Sequence, residues 1–530
     1  MSVTANFELI LLLMAVAIIL ELLAQRLRMP PAAALILGGI ALALIPGMPV
    51  IELDPELALV LFLPPLLLSS AYFTSWRDFR ANLRLILQLA VGAVIFTTVI
   101  VGVVAHWVMS SLPWAACFAL GAIVSPPDAV AAKSVLSRLT LPPRMTVLLE
   151  GESLVNDATS LVLFRFAVAA GLTGAFSAGE ALLSFGTLAV GGVLAGTAFG
   201  FVAAFLLARL NAPQLATVGS LLAAWASYII GEKLHVSGVL ATVSCGMVMG
   251  WRQHVTLDAD TRIRAQAVWS VVTFILESLV FILIGLSLRG VLSRLGENWD
   301  GIYTLLPAAG AIVAATVLSR FAWIIPVTYI PRWLIPSLRR RDPYPPFAVP
   351  VVMSWAGLRG VVSLAAALAL PEDFPGRDFI IATTFVVILV TVLVQGATLA
   401  PLVRVLNIAE FKLKQDATLP EAEARARMAV AQYEAMEEHS READGSHQHP
   451  RLLEQYRYRA RAAARFSEAE HELVEEKHAH FEAVLIAVAA GRAELLRLYE
   501  KGEVHDSVLH SLEGELDLEE IEARRHRPDR

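Results

Sequence analysis

One stretch fit to cross a bilayer, Glu150 to Phe166, reads EGESLVNDATSLVLFRF and carries side chains that such a stretch ordinarily excludes. Glu150, Glu152, Asn156, Asp157 and Ser160 interrupt an otherwise apolar run. A charged side chain at the bilayer centre costs at least ~2.5 kcal/mol, so intramembrane acids persist where they face a protein interior or a water-filled cavity and handle an ion or a proton. On a helix, Ser153 and Asp157 are four residues apart, as are Glu152 and Asn156, and Asp157 and Ser160 are three apart. That spacing gathers their polar atoms on one broad face. Leu154, Val155, Leu161, Val162 and Leu163 fall on the other, for lipid or packing.

A single carboxylate that holds either a proton or a hard monovalent cation suffices for exchange. Desolvation favours the protonated acid and a nearby cation favours the charged one, so each ligand expels the other. With Asp157 as the titrating group and neutral Asn156 beside it, one cation replaces one proton and no net charge moves. An acid at position 156 would admit a second proton. A membrane enzyme is the rival reading, because Asp128 and Asp157 could pose as paired acids that activate water. A channel or a sensor signalling through the tail are the others. Proton flux on adding sodium or potassium, lost in Asp157→Asn, separates exchange from the enzyme, and a conductance seen as current would mark the channel.

The elements that must position these groups are membrane helices. The chain has 530 residues and is 56% hydrophobic, with a mean hydropathy of +0.63, which excludes an ordinary soluble protein. Cys117 and Cys245 both lie in apolar stretches and read as small core residues. Met1 to Glu21 lacks a basic leader and a small-residue cleavage site, and reads as a first membrane helix. About thirteen apolar segments of spanning length follow one another, starting near Phe7, Ala32, Glu56, Leu85, Trp114, Met145, Leu182, Pro213, Val236, Gln266, Tyr303, Phe347 and Phe379.

Charge in the loops tests that count. Arg26 and Arg28; Arg77, Arg80 and Arg84; Lys133, Arg138 and Arg144; Arg209; Arg252, Arg262 and Arg264; and Arg332, Arg339, Arg340 and Arg341 occupy one set of alternate loops. The other set holds only Lys233, Arg289, Arg294 and Arg377. Basic residues collect on the cytoplasmic side. The amino terminus is therefore expected outside and the tail inside.

Two segments look broken. In GAIVSPPDAVAA, Pro126 and Pro127 remove two amide donors beside Asp128. In SWAGLRGVVSLAAALALP, Gly357 and Gly360 flank Arg359. Broken helices at matching places in two halves point to a transporter's binding site, and segments one to six and eight to thirteen would be inverted repeats around the seventh.

Past Asn407 the composition changes. Residues 411–530 hold 18 Lys and Arg against 26 Asp and Glu, leaving 24 against 22 for the rest. Glu421 to Glu438, Arg451 to Leu498 and Val504 to Glu522 read as amphipathic helices. SHQHP at Ser446 to Pro450 reads as a solvated loop, and more weakly as a metal or pH sensor. The expected division is a transmembrane domain over 1–410 and a helical cytoplasmic tail over 411–530, regulatory or dimer-stabilising. An acidic tail gives no sign of nucleic-acid binding.

GESLVNDATSLVLF, preceded by GAIVSPPDAVAA and followed by WAGLRGVVSLA, resembles the sodium/proton exchanger family, the electroneutral branch of the monovalent cation:proton antiporters, in its bacterial form. FLPPLLLSSAYF at Phe62 to Phe73 and ESLVFILIGLSL at Glu277 to Leu288 extend the likeness over most of the first 410 residues. The resemblance implies Na⁺ or K⁺, and Li⁺ as a further substrate, exchanged for H⁺ across a bacterial inner membrane. It implies no cofactor, lipid surroundings, a homodimer, and an unidentified ligand or protein at the tail. It places the ion-binding carboxylate on Asp157 and its neighbour on Asn156, the broken-helix acid on Asp128, and a structural glutamate and membrane arginine on Glu152 and Arg359. Two departures stand out. Pro127 and Ala129 occupy positions where many members have Thr or Ser and then Pro, leaving Ser125 as a substitute hydroxyl, and Ser69 stands where many have an acid.

Taken residue by residue, Glu152 and Arg359 are expected to form a buried pair. Asp128 is a cation ligand or a cap on half-helix amides. Ser153 and Ser160 either lend oxygens to the cation or bond back to their own helix. Glu277, in an apolar run, is provisionally matched with Arg320.

Overall fold

The computed structural model describes residues 3–27, 29–46, 55–128, 131–132, 135, 141–174, 178–210, 212–295, 299–408, 421–442, 446–468, 474–501 and 503–525. Arg28, Lys133, Arg138 and the expected boundary between 410 and 411 lie outside them. Two compact units, Met1–Leu413 and Lys414–Arg530, divide the chain.

The first unit is all helical. Its main helices are α1 (Val3–Leu27), α2 (Pro31–Ala43), α3 (Pro55–Phe73), α4 (Trp76–Val108), α5 (Trp114–Val124), α6 (Pro143–Thr173), α7 (Ala178–Leu207), α8 (Pro213–Lys233), α9 (Gly238–Thr256), α10 (Ala259–Leu286), α11 (Trp299–Leu334), α12 (Ala348–Trp355), α13 (Val361–Leu368) and α14 (Arg377–Val405). A helix stands at each of the thirteen expected segments, with α12 and α13 together filling the twelfth. Among the described residues, eight helices are long and apolar enough to cross a membrane, and α2, the Leu59–Phe73 part of α3, and α5 are shorter apolar helices.

Local chemistry sets the ends. Ser75, Ser237 and Asp258 accept the amides of Asp78, Leu240 and Thr261 at 3.4, 3.2 and 2.9 Å, capping α4, α9 and α10. Proline opens α2, α6 and α8 at the first helical position, where its missing amide has no cost. Helix α3 continues through Pro64 and Pro65. Pro65 cannot donate to the Leu61 carbonyl, and the Trp225 indole does so instead at 3.3 Å.

Helices α4, α5 and α6 pack with α11, α12, α13 and α14, while α1, α2 and α3 pack with α7 to α10. The fourth to sixth segments thus meet the eleventh to thirteenth. Helices α3 and α10 of one group meet α6 and α13 of the other along a seam. Cys117 and Cys245 are free and buried.

In the second unit, α15 (Glu421–Ser440) packs on α16 (Pro450–Glu468), and α17 (Val474–Glu500) on α18 (Asp506–Arg525). Within the expected helix from Arg451 to Leu498, Pro450–Glu468 and Val474–Glu500 are helical, and residues 469–473 lie outside the described residues. The SHQHP piece is mostly exposed and folds back on the end of α15, where the Ser440 hydroxyl accepts the His449 amide at 3.0 Å.

Candidate ion-binding site

The two breaks cross. Helix α5 stops at Val124, and the backbone from Ser125 to Asp128 is irregular before a bond from the Ala132 amide to the Asp128 carbonyl marks a restart. In the other strand of the crossing, α12 ends at Trp355 and α13 begins at Val361. The Asp128 amide donates to the Leu358 carbonyl at 2.7 Å, joining the two irregular segments directly.

Each break leaves carbonyls without helical donors, and side chains fill those places. Pro126 has no amide for Ala122, so the Ser125 and Ser160 hydroxyls both donate to that carbonyl, at 2.9 and 3.0 Å. The Asp128 amide is turned to Leu358, so Val124 receives the Arg359 Nε at 2.5 Å, and Arg359 Nη1 donates to the Gly357 carbonyl. Arg359 is fully buried, with its own amide on the Thr391 hydroxyl at 3.1 Å. Its guanidinium lies at the carbonyl ends of two half-helices, where the helix dipoles favour a cation.

That placement corrects the expected pair. Glu152 is held by Arg320 of α11, with Nη1 to Oε1 at 2.6 Å and Nη2 to Oε2 at 3.2 Å, both residues at most 2% exposed. Arg320 is therefore committed to Glu152 and not to Glu277. The physical reason is competition for guanidinium: the orphan carbonyls of the crossing take Arg359, and the fork of Arg320 fits the carboxylate bidentately. Gly357 permits this, because a Cβ there would strike the Arg320 side chain.

Asn156, fully buried, donates from Nδ2 to the Pro127 carbonyl at 2.8 Å and so ties α6 to the residue before Asp128. The next residue, Asp157, opens on a cavity of about 310 Å³ along the seam. Its walls include Asp128, Glu150, Ser153, Ser69, Glu277 and Ser363. Asp157 is 7% exposed, and among the described residues its carboxylate has neither an ion pair nor a hydrogen bond. Gly360 is required here: a Cβ would collide with the Asp128 carboxylate.

The structure thus brings Asp157, Asp128, Ser153, Ser69 and Glu277 together around one cavity. Asn156, Ser125 and Ser160 are not among its wall residues. The Ser160 hydroxyl serves α5 and not its own helix, while that of Ser125 bonds back to Ala122 of the helix it closes. Sequence reasoning missed Ser363, four residues after Arg359 in a motif already singled out, and Thr391, which no pattern in α14 marks. It also missed a cluster at one end of α6, where Arg144 contacts Asn82 at 2.9 Å and Asp342 at 2.8 Å, and Arg332 contacts Asp342 at 2.6 Å.

Crossed broken helices with an unpaired buried acid beside a polar cavity define a secondary transporter of the membrane. The chain belongs to the sodium/hydrogen exchanger family, whose transmembrane region matches residues 11–405. It is 35% identical to an uncharacterised Na⁺/H⁺ exchanger of Mycobacterium tuberculosis over 408 residues, 74% of this chain and 73% of that one. It is also 35% identical to the sodium, potassium, lithium and rubidium/H⁺ antiporter of Bacillus pumilus over 382 residues, 69% of this chain and 56% of that one. The fold is similar to that of the sodium proton antiporter MjNhaP1 of Methanocaldococcus jannaschii, with a TM-score of 0.61 at 20% identity, covering 77% of this chain and 99% of that one.

Proposed function

We propose that this antiporter exchanges one Na⁺ or K⁺, with Li⁺ as a further substrate, for one H⁺, the two competing for Asp157 as the crossing alternates its access to the two sides. The observation that carries the reading is the isolation of the Asp157 carboxylate. An unpaired ionised carboxylate in a low-dielectric interior is far too costly to persist, so it binds a proton or a cation. Asp128 lends oxygens from the facing wall and Ser153 from the preceding turn of α6, Asn156 positions the break, and Glu152, Arg320 and Arg359 fix the scaffold.

Asn156 is neutral, so one site carries one charge in either loaded form and the exchange is electroneutral. The relative from Bacillus pumilus, named for four alkali cations, supports a cation range wider than sodium. By its loop charges the chain sits in a bacterial inner membrane with its amino terminus outside and residues 411–530 in the cytoplasm. There the tail regulates the exchanger or stabilises a homodimer. The role is control of internal pH and cation content, without enzymatic chemistry or a cofactor.

Purified full-length protein in liposomes with an internal pH dye tests this. Addition of Na⁺ or K⁺ should drive proton flux unaffected by an imposed potential and abolished in Asp157→Asn. Flux persisting in that variant removes Asp157 as carrier, and a clear voltage dependence removes the 1:1 stoichiometry.

A further inference from the structure

One hydroxyl in the cavity wall has no use in the arrangement above. Ser363 is the third residue of α13, is 2% exposed, and lines the same cavity as Asp157 and Asp128. Its Oγ is sealed from solvent and makes no hydrogen bond within the protein among the described residues. Leaving such a bond unmade is unfavourable, and hydroxyls in protein cores are ordinarily satisfied. Neighbouring serines follow that rule: Ser125 and Ser160 donate to Ala122, and Ser354 to the Pro350 carbonyl at 2.7 Å.

A hydroxyl oxygen is a fitting ligand for a hard alkali cation, which takes oxygen donors and gives up water only when protein oxygens replace it. The amide end of α13 would by itself repel a cation. The Asp128 carboxylate, packed against Gly360 at that same end, offsets this. Ser363 and the two acids therefore line one space from α13, the α5 break and α6.

We infer that Ser363 is a ligand of the transported cation, lending its Oγ directly or through one water to an ion held at Asp157, and that it sets the preference among alkali cations. This rests on Asp157 being the carrier, and deepens that reading by naming a selectivity residue.

The test uses full-length protein in liposomes with a pH dye and Li⁺, Na⁺, K⁺ and Rb⁺ in turn, comparing Ser363→Ala, Ser363→Thr, Ser363→Cys and Asp157→Asn. Ser363→Ala should raise the apparent KM for the preferred cation at least threefold and alter the ranking of the four ions, with the rate at saturation within twofold of wild type. Ser363→Thr should restore the wild-type ranking. Ser363→Cys, close in size but with a soft sulfur, should behave like Ala. The melting temperature of Ser363→Ala without alkali cations should equal or exceed that of wild type, since an unpartnered hydroxyl is removed, while its upward shift on adding the preferred cation should shrink. An unchanged KM and ranking in Ser363→Ala and Ser363→Cys overturns the assignment. If Asp157→Asn is silent in that case, the carrier reading stands and only Ser363 falls. If Asp157→Asn still exchanges, the carrier itself is wrong. Should the alanine variant fail to fold, the threonine and cysteine variants decide by the same ranking.

Discussion

Replacing Glu152 by Met leaves the Arg320 guanidinium, 2% exposed, with the Met353 carbonyl at 3.1 Å as its one acceptor among the described residues. Removing one member of a buried ion pair costs ~3–5 kcal/mol, because the remaining charge is neither hydrated nor paired. Set against net stabilities of ~5–15 kcal/mol, that loss should lower the yield of folded protein severalfold and depress its melting temperature. Removing both partners is different. An apolar pair of similar volume is often neutral or stabilising relative to the ion pair. E152M/R320M should therefore recover most of what E152M loses, with a coupling energy on the order of 3 kcal/mol in a double-mutant cycle. E152M/R359M should recover nothing, since Arg359 Nε and Nη1 lie on the Val124 and Gly357 carbonyls and a Met there would orphan both. The assay is thermal melting of detergent-solubilised full-length protein followed by size-exclusion fluorescence. Rescue of E152M by R359M and not by R320M would refute the assignment of the pair and the account of why the crossing claims Arg359.

Two further changes follow from the geometry. Gly360→Ala puts a methyl group where the Asp128 carboxylate lies; overpacking costs ~1–3 kcal/mol, so folded protein should remain while exchange in liposomes falls at least tenfold, and wild-type exchange would show that the carboxylate is not needed there. Asp342, outside the spanning helices, is partly buried, which opposes its charge, yet the hydrogen bond and charge of Arg144 with the charges of Arg332 and Arg84 hold its carboxyl below the ordinary value of 3.8. A depressed carboxyl stabilises the fold above its unfolded pKa and loses that contribution as pH falls through the folded one. Wild type should therefore hold it in full above 3.8 and lose it as pH falls from there, and Asp342→Asn should lack ~1–3 kcal/mol at neutral pH; equal melting temperatures of the two at pH 7 would contradict this.

Hydropathy located the main helices described in the first unit, because a bilayer imposes a length that residues carry openly. The breaks were legible as well, since Pro126, Pro127, Gly357 and Gly360 act on the backbone wherever they stand. Partnership was not. Arg320 and Arg359 are equally anomalous in apolar runs, and nothing in their neighbours ranks them for Glu152. What separates them is the set of orphan carbonyls at Ala122, Val124 and Gly357, which exists only once two broken helices meet. The same orphans reassign Ser125 and Ser160 from the ion to the backbone. In the tail, an Ala- and Glu-rich composition reads as helix, and Pro450–Glu468 and Val474–Glu500 are helical.

The crossing also explains why exchange would be obligatory on the proposed reading. Its fixed charges are compensated where they stand: Glu152 by Arg320, and the carbonyl ends of α5 and α12 by Arg359. Asp157 has no such partner among the described residues. Loaded with a proton or with a monovalent cation, it presents the same net charge, so both loaded forms traverse the seam at similar cost. Unloaded, it carries a bare negative charge through a low-dielectric passage, which is disfavoured by many times the thermal energy. The protein therefore moves when occupied and stalls when empty, and a leak of either ion alone is suppressed by the same desolvation that makes the two compete.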